Sequence, residues 1–395
     1  MQVSNALSPS PLPPAPPKQL HDRRSSVSSD GGRDLELFSK RWPSFGTTVF
    51  PFRFLGHWFS RKFNVFPKKW LDDGDAYAAE AEASVVLDDL VYGEAPRFRP
   101  AENALYLSDM FARQVLRVDL ATGERSVVYT DPSDYVSGLG WLPDGRMLIV
   151  SMNKRVVLVH SESTGKTEQY ADVSSLTKFR ANDLVVAADG RAYLGNFGFP
   201  VEDLAASCTT TLVSLSPVDA AVRVEASELM FPNGAVITPD GATLIVAETF
   251  EGQLTAFTIG EDGRLSNRRV WAKLGVPADG ICLDAEGCVW VSVPQVGVYE
   301  TSGGLLRVRE GGEIVHMLGF GRNGIYRGVF ACQLATDAAG QHQLFFLEAT
   351  SCKESDVFAR GLSDPATANC ALKRVPVRVG PARMAGHAHY SGGYC

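Results

Sequence analysis

Phe231-Pro232-Asn233-Gly234-Ala235-Val236-Ile237-Thr238-Pro239-Asp240-Gly241-Ala242-Thr243-Leu244-Ile245-Val246-Ala247-Glu248-Thr249 reads as loop, strand, tight turn, strand. Val236 and Ile237 begin a β-rich run, Asp240-Gly241 is a hairpin turn, and Leu244 to Val246 lie on the returning strand. An Asn stands at the entrance to the first strand, directly after a proline. The same design recurs along the chain with a different residue at the entrance.

From Val85 onward the pattern is short strands and small turns, without a long amphipathic helix. Turn signals recur at Asp144-Gly145, Asp189-Gly190, Asp240-Gly241, Glu286-Gly287 and Ala339-Gly340. Their spacing of about 42 to 53 residues is that of propeller blades with four strands each. Each turn precedes an apolar strand, as in Met147-Leu148-Ile149-Val150 and Leu344-Phe345-Phe346-Leu347. A third strand follows in most units, such as Val156-Val157-Leu158-Val159 and Leu254-Thr255-Ala256-Phe257. An earlier unit has a weaker turn at Glu102-Asn103, then Leu105-Tyr106-Leu107 and Val115-Leu116-Arg117-Val118.

That makes six units. A ring must close or leave its edge strands exposed. Ser84-Val85-Val86-Leu87 supplies the closing strand, beside Ala371-Leu372-Lys373-Arg374-Val375. The expected fold is all-β: a six-bladed β-propeller over residues 81–380 with an N-terminal extension and a C-terminal tail, 381–395.

Eight positions before each turn glycine stand the entrance residues. Gly190 leads to Asn182, Gly241 to Asn233 and Gly287 to Asp279. In the first unit Glu94 takes the equivalent place, and the other two units give Ser137 and Cys332. Equivalent positions of successive blades converge on the propeller axis at one mouth. Glu94, Asn182, Asn233 and Asp279 thus form a ring of oxygen ligands suited to a hard divalent cation, with waters filling the remaining places. No His or thiolate belongs to the group, which argues against a zinc site of the usual kind. Taken singly, an Asn or Asp before Gly is a common turn former. Four in register at one mouth point to a site, and Glu94 is the most informative, because a long acidic side chain is a poor turn choice.

These residues also carry a family resemblance. The chain resembles the gluconolactonase, senescence marker protein and luciferin-regenerating enzyme family of six-bladed propellers. The matching segments are Gly93-Glu94-Ala95-Pro96, Arg180-Ala181-Asn182-Asp183, Asn233-Gly234, Leu265-Ser266-Asn267-Arg268-Arg269 and the long run from Asp279-Gly280 to Val289-Trp290-Val291. The resemblance implies that Glu94, Asn233 and Asp279 are metal ligands, that Asn182 lies near metal and substrate, and that Arg180 helps hold the substrate. It further implies hydrolysis of a small-molecule lactone or ester with calcium as the expected ion; magnesium, manganese and zinc are the alternatives. Two segments depart from the pattern. Phe98 follows Arg97 where the family usually has Trp. The run Phe197-Gly198-Phe199-Pro200-Val201-Glu202 is more apolar than in sugar lactonases.

The chemistry expected is metal-assisted ester opening, with the cation stabilising the developing oxyanion. Asp279 orients or deprotonates a water. Arg180 holds a carboxylate or hydroxyl of the substrate. No G-x-S-x-G elbow is present, which argues against a catalytic serine. Phosphotriester hydrolysis on the same scaffold is an alternative, as is a non-catalytic binding propeller that keeps the ion for stability.

The rest of the chain sets the context. Residues 1–34 are rich in Pro, Ser and charge and are expected to be disordered. Within 35–80, residues 40–70 mix Trp42, Phe45, Trp58, Phe63 and Trp70 with Arg41, Arg53, Lys62 and Lys69, and carry no acidic residue. One reading is an interfacial membrane segment. The other, favoured by the interrupting Pro43, Pro51 and Pro67, is an extension that packs its aromatics on the main domain. The net charge of -7 argues against a nucleic-acid partner. Seven cysteines without a CxxC pair read as reduced thiols of an intracellular, cytoplasmic protein, with organelle targeting by the N-terminal segment as an alternative. Cys352, Cys370 and Cys395 leave room for one disulfide. The sequence does not indicate an oligomeric state.

Overall fold

The computed structural model of the chain describes residues 83–201, 206–296, 302–319, 328–349 and 370–382. The segments 1–34 and 35–80, most of the tail, Cys352 and Cys395 lie outside the described residues. Six four-stranded antiparallel sheets make up what is described.

The chain enters on β1 (Ser84–Leu90) and then lays down five blades in order. Blade one is β2 (Gly93–Arg99), β3 (Ala104–Asp109), β4 (Gln114–Asp119) and β5 (Arg125–Thr130). Blade two is β6 (Val136–Trp141), β7 (Met147–Ser151), β8 (Val156–Ser161) and β9 (Lys166–Asp172). Blade three is β10 (Ala181–Val186), β11 (Ala192–Asn196), β12 (Thr210–Leu215) and β13 (Val222–Leu229). Blade four, from the stretch quoted first, is β14 (Pro232–Ile237), β15 (Thr243–Glu248), β16 (Gln253–Ile259) and β17 (Leu265–Lys273). Blade five is β18 (Ile281–Leu283), β19 (Val289–Val296), β20 (Ser302–Val308) and β21 (Ile314–Gly319). Blade six is β22 (Gly328–Thr336), β23 (His342–Ala349) and β24 (Cys370–Pro376), completed by β1.

The closing pairs are Ser84↔Arg374 and Val85↔Lys373, so the first strand among the described residues seals the last blade as the sequence suggested. Contacts between innermost strands run β2, β6, β10, β14, β18, β22 and back to β2. The molecule is a six-bladed β-propeller, and closure leaves no blade with an open lateral face.

Burial falls from axis to rim. β14 is buried throughout, whereas the outermost β17 is mostly exposed. One position of each second strand carries the wedge between blades: Tyr106, Leu148, Tyr193, Ile245, Trp290 and Phe345 are all buried. The five turn glycines named from the sequence all adopt positive φ, 72° at Gly241, a conformation open to glycine at little cost. Asp240 completes that turn: its Oδ1 accepts from the Ala242 amide at 3.0 Å. The structure differs from the sequence reading in where the strand starts. β14 begins at Pro232, not Val236, so Asn233 is a strand residue rather than a loop residue.

Candidate metal and substrate site

The innermost strands of blades one, two, three, four and six carry a register slip near their start, whereas β18 of blade five pairs without one. Pro232 pairs with Glu248, but Ala235 pairs with Val246, so one residue is extra. The same slip lies between Val136 and Leu139, and between Ala181 and Leu184. Such a bulge re-aims the side chains beside it. Asn233, Ser137 and Asn182 all sit directly after the last residue paired ahead of the slip. Glu94 follows Gly93, which pairs with Asp109 in the corresponding place. Asp279 lies two residues ahead of the Ile281↔Val291 pair, and its amide donates to the Ser292 carbonyl at 2.9 Å.

The sixth position is corrected by this register. Val329 pairs with Glu348, so the equivalent residue is Phe330 and not Cys332. The hairpin of blade six is longer on its first strand: Ala335 and Thr336 pair with Gln343 and His342 before the turn. Counting back from Gly340 therefore lands two residues late. Cys332 lies deeper, with its Sγ 3.8 Å from that of Cys282. Among the described residues Cys208, Cys282, Cys288, Cys332 and Cys370 are free thiols.

The mouth residues meet side chain to side chain. Ser137 Oγ donates to Asn182 Oδ1 at 3.3 Å, and Asn182 Nδ2 donates to Asn233 Oδ1 at 3.1 Å. Asn233 Nδ2 donates to Thr249 Oγ1 at 3.2 Å, and Thr249 Oγ1 donates to the carbonyl of Ala278, next to Asp279, at 2.7 Å. One chain of hydrogen bonds thus links blades two, three, four and five. Asn182, Asn233 and Asp279 are buried and Glu94 is half-buried. The backbones are correspondingly close. A Cβ on Gly234 would lie 2.7 Å from Gly280 Cα, and one on Gly280 would lie 2.7 Å from Ala331 Cα.

Beneath the ring, Arg97 ties three blades together. Its guanidinium donates to Leu139 O at 3.1 Å, Leu184 O at 2.8 Å and Asp183 Oδ1 at 2.8 Å. Asp109 orients the segment that leads into Glu94, accepting the amides of Val91 at 3.1 Å and Tyr92 at 2.9 Å. Burial raises the pKa of Asp109 above its ordinary value, opposed by those backbone donors.

Arg180 stands two residues ahead of Asn182 and is half-buried. Its Nε donates to Asn153 Oδ1 at 2.9 Å, and its guanidinium carbon lies 4.8 Å from the Phe179 ring centre. Asn153 is itself anchored, its Nδ2 donating to Asp134 Oδ1 at 2.6 Å. Sequence reasoning missed Asn153, Thr249 and Phe330. The first two come from the turns after β7 and β15, where only packing between blades shows what they touch.

Residues two ahead of the mouth position form an outer tier: Tyr92, Tyr135, Arg180 and Phe231. Each carbonyl accepts an amide from the turn after the second strand: Met110 to Tyr92, Met152 to Tyr135, Phe197 to Arg180 and Thr249 to Phe231. This tier is mostly aromatic. Tyr92 packs edge-on against Phe111 at 5.3 Å, Phe111 against Tyr135 at 5.0 Å, and Phe231 against Phe250 at 5.1 Å.

The donor set suits a hard cation. Glu94 and Asp279 supply carboxylates and Asn233 an amide oxygen with a second lone pair, with no imidazole or thiolate among them. Among the described residues no three His, Cys, Asp or Glu side chains gather as a metal site, so any ion here relies on the amide.

A family model described as the SMP-30/gluconolactonase/LRE-like region matches residues 92–326. The chain belongs to this family. Within the SMP-30/gluconolactonase/LRE-like family, regucalcin of Gallus gallus is 27% identical over 206 residues, which is 51% of this chain and 67% of that protein. The 6-deoxy-6-sulfogluconolactonase of Pseudomonas putida is 26% identical over 212 residues, 52% of this chain and 69% of that protein. Among solved structures, a calcium-binding regucalcin from Agrobacterium tumefaciens superposes with a TM-score of 0.58 at 19% identity, covering 76% of this chain and 95% of its own. That likeness bears on the fold.

Proposed function

We propose that this chain is a divalent-cation-dependent hydrolase that opens lactones at the mouth of the propeller. The observation that carries the reading is the Asn182–Asn233 contact, which joins two of the four oxygen-bearing mouth residues directly. Relatives named as a sulfogluconolactonase and as a sugar lactone lactonase support the reaction class, and the all-oxygen donor set of Glu94, Asn233 and Asp279 supports a hard divalent ion.

Glu94, Asn233 and Asp279 would hold the ion, calcium first. When bound, it supplies positive charge that polarises the lactone carbonyl. Asn182 is a positioning residue for Asn233, because its amide group fixes the orientation of the Asn233 side chain. Arg180 binds a carboxylate or hydroxyl on the substrate, held in place by Asn153. Asp279 takes a proton from the attacking water. The new bond joins water oxygen to the carbonyl carbon, the ring C–O bond breaks, and the proton passes to the leaving alkoxide.

The test is lactone opening by metal-analysed full-length protein, with and without chelator, for the native chain and Asp279→Asn. Chelation is expected to abolish turnover and added calcium to restore it. Asp279→Asn is expected to lower kcat by at least about 100-fold. Full activity in Asp279→Asn would refute the proton-transfer role. Turnover of phosphotriesters but not lactones would reassign the substrate, and metal binding without any turnover would make the chain a binding propeller.

A further inference from the structure

The outer tier bears on what can sit above the polar ring. In blade one the position two ahead of the mouth is Tyr92, in blade two Tyr135, and in blade four Phe231. Two residues beyond the second strand stand Phe111 in blade one and Phe250 in blade four. Blade six places Phe330 at the mouth position itself, its ring 5.1 Å from that of Tyr92. These rings interlock from blade to blade and share one hydrophobic cluster with Phe197 and Phe199. Phe197 stacks on Phe231 at 4.5 Å.

Phe231 has a further feature. Its φ is 58°, in the left-handed region that a bulky aromatic residue rarely adopts. The surroundings hold it there: its carbonyl accepts the Thr249 amide at 3.2 Å, and Thr249 in turn holds Asn233. Strain of this kind collects where a side chain must be aimed at a task. Here the strained residue stands two places before Asn233, a candidate ion ligand, with its ring packed against Phe197 and Phe250.

The cationic break in this tier is Arg180, paired with Asn153 and lying over the ring of Phe179, and the hydroxyls of Tyr92 and Tyr135 are its other polar groups. A polyhydroxylated lactone seated on the ring would leave hydroxyl groups against aromatic carbon, and unpaired buried hydroxyls are strongly disfavoured. An apolar or aromatic-fused lactone meets rings of its own kind, and one carboxylate or hydroxyl fits the single cationic break.

We propose that the site selects lactones with an apolar or aromatic body and one anionic or hydroxyl group, and discriminates against sugar lactones. This selectivity rests on the lactone-opening function proposed above and deepens it.

The experiment separates the two. First, kcat/KM is measured for dihydrocoumarin and for glucono-δ-lactone with calcium-loaded full-length protein. The expected ratio favours dihydrocoumarin by at least about 100-fold. A preference for glucono-δ-lactone overturns the specificity and leaves the lactonase reading standing. Second, binding of the two ring-opened acids, 3-(2-hydroxyphenyl)propanoate and gluconate, is measured by calorimetry, which needs no turnover. The aromatic acid is expected to bind and gluconate not to. Gluconate binding alone, or binding of neither, overturns the proposal even if turnover is absent. Third, Phe250→Leu, checked for native circular dichroism and melting, is expected to weaken the aromatic acid by about fivefold. If Phe250→Leu does not fold, Arg180→Met serves, with an expected loss of about tenfold in binding of the same carboxylate. Unchanged affinity in the folded variant overturns the proposal.

Discussion

Asn182 Nδ2 lies 3.1 Å from Asn233 Oδ1, although 51 residues separate them in the chain. The contact commits one lone pair of Asn233 to Asn182 and leaves the other for a ligand. The two amides therefore have unequal tasks. Asn233→Ala is expected to raise the calcium Kd by at least about tenfold, since it removes a ligand oxygen. Asn182→Ala is expected to raise it by only about threefold, since it removes an orienting partner. Calorimetric titration with calcium chloride measures both, and equal effects would contradict the division of roles.

Most of the fold was legible because its signals are local. A turn glycine at positive φ, an apolar strand after it and a regular period need no knowledge of distant contacts. The candidate ring was legible for the same reason in blades three, four and five, whose first hairpins keep the same length from mouth to turn. Blade six was misread because Ala335 and Thr336 lengthen its hairpin, so Phe330 was passed over for Cys332. Thr249 and Asn153 were not readable at all, since each acts on a residue of another strand through the packing of blades. Arg97 and Asp183, 86 residues apart, are the same case.

The closing strand makes a separate prediction. β1 supplies the outer edge of blade six through pairs such as Val85↔Lys373 and Leu87↔Leu372. A chain beginning at Val91 would leave β24 as an open edge, a template for association. Such a truncation is expected to lose its single cooperative melt and to elute as aggregates on size-exclusion chromatography. A monodisperse truncation with the native melting temperature would contradict the role of β1.

Gly234 tests the close approach of blades four and five. The atoms that an added Cβ would meet, Gly280 Cα at 2.7 Å and Asp279 O at 2.8 Å, are backbone and cannot rotate away. Gly234→Ala is expected to destabilise the protein by about 1–3 kcal/mol. For a domain of this size that lowers Tm by about 2–5 °C, measurable by calorimetry.

Asp109 carries a pH signature. Burial raises its folded-state pKa above the ordinary value of 3.8. The folded state therefore holds this proton more tightly than the unfolded chain does. Its contribution to stability is fully present below the unfolded pKa and is lost as pH rises through the folded pKa. Asp109→Asn keeps an oxygen acceptor for the Val91 and Tyr92 amides but removes the titration. Thermal melts across pH 4 to 7 are expected to show native Tm minus variant Tm shrinking as pH rises, and a difference that grows with pH would contradict the shift.

The Arg97–Asp183 pair lies under the ring with side-chain exposures of only 8% and 11%. Two desolvated charges stabilise little as a pair, but each is costly when its partner goes. Arg97 also satisfies the carbonyls of Leu139 and Leu184, which belong to two further innermost strands. Asp183→Asn leaves the guanidinium with the carbonyls of Pro96, Leu139 and Leu184 and a neutral amide, and is expected to cost about 3–5 kcal/mol. Arg97→Met leaves Asp183 with the Leu184 amide as its remaining donor, at 2.8 Å, together with three carbonyls that lose a partner. It should cost at least as much. The double variant Arg97→Met/Asp183→Leu removes both charges and leaves only neutral groups unmet, the carbonyls and the Leu184 amide. Its cost is expected to fall well below the sum of the two singles, by about 2 kcal/mol or more. Urea denaturation of the four proteins measures this cycle. Strict additivity would show that the two side chains do not act as a pair, and that Arg97 stabilises the channel through its backbone carbonyl contacts alone.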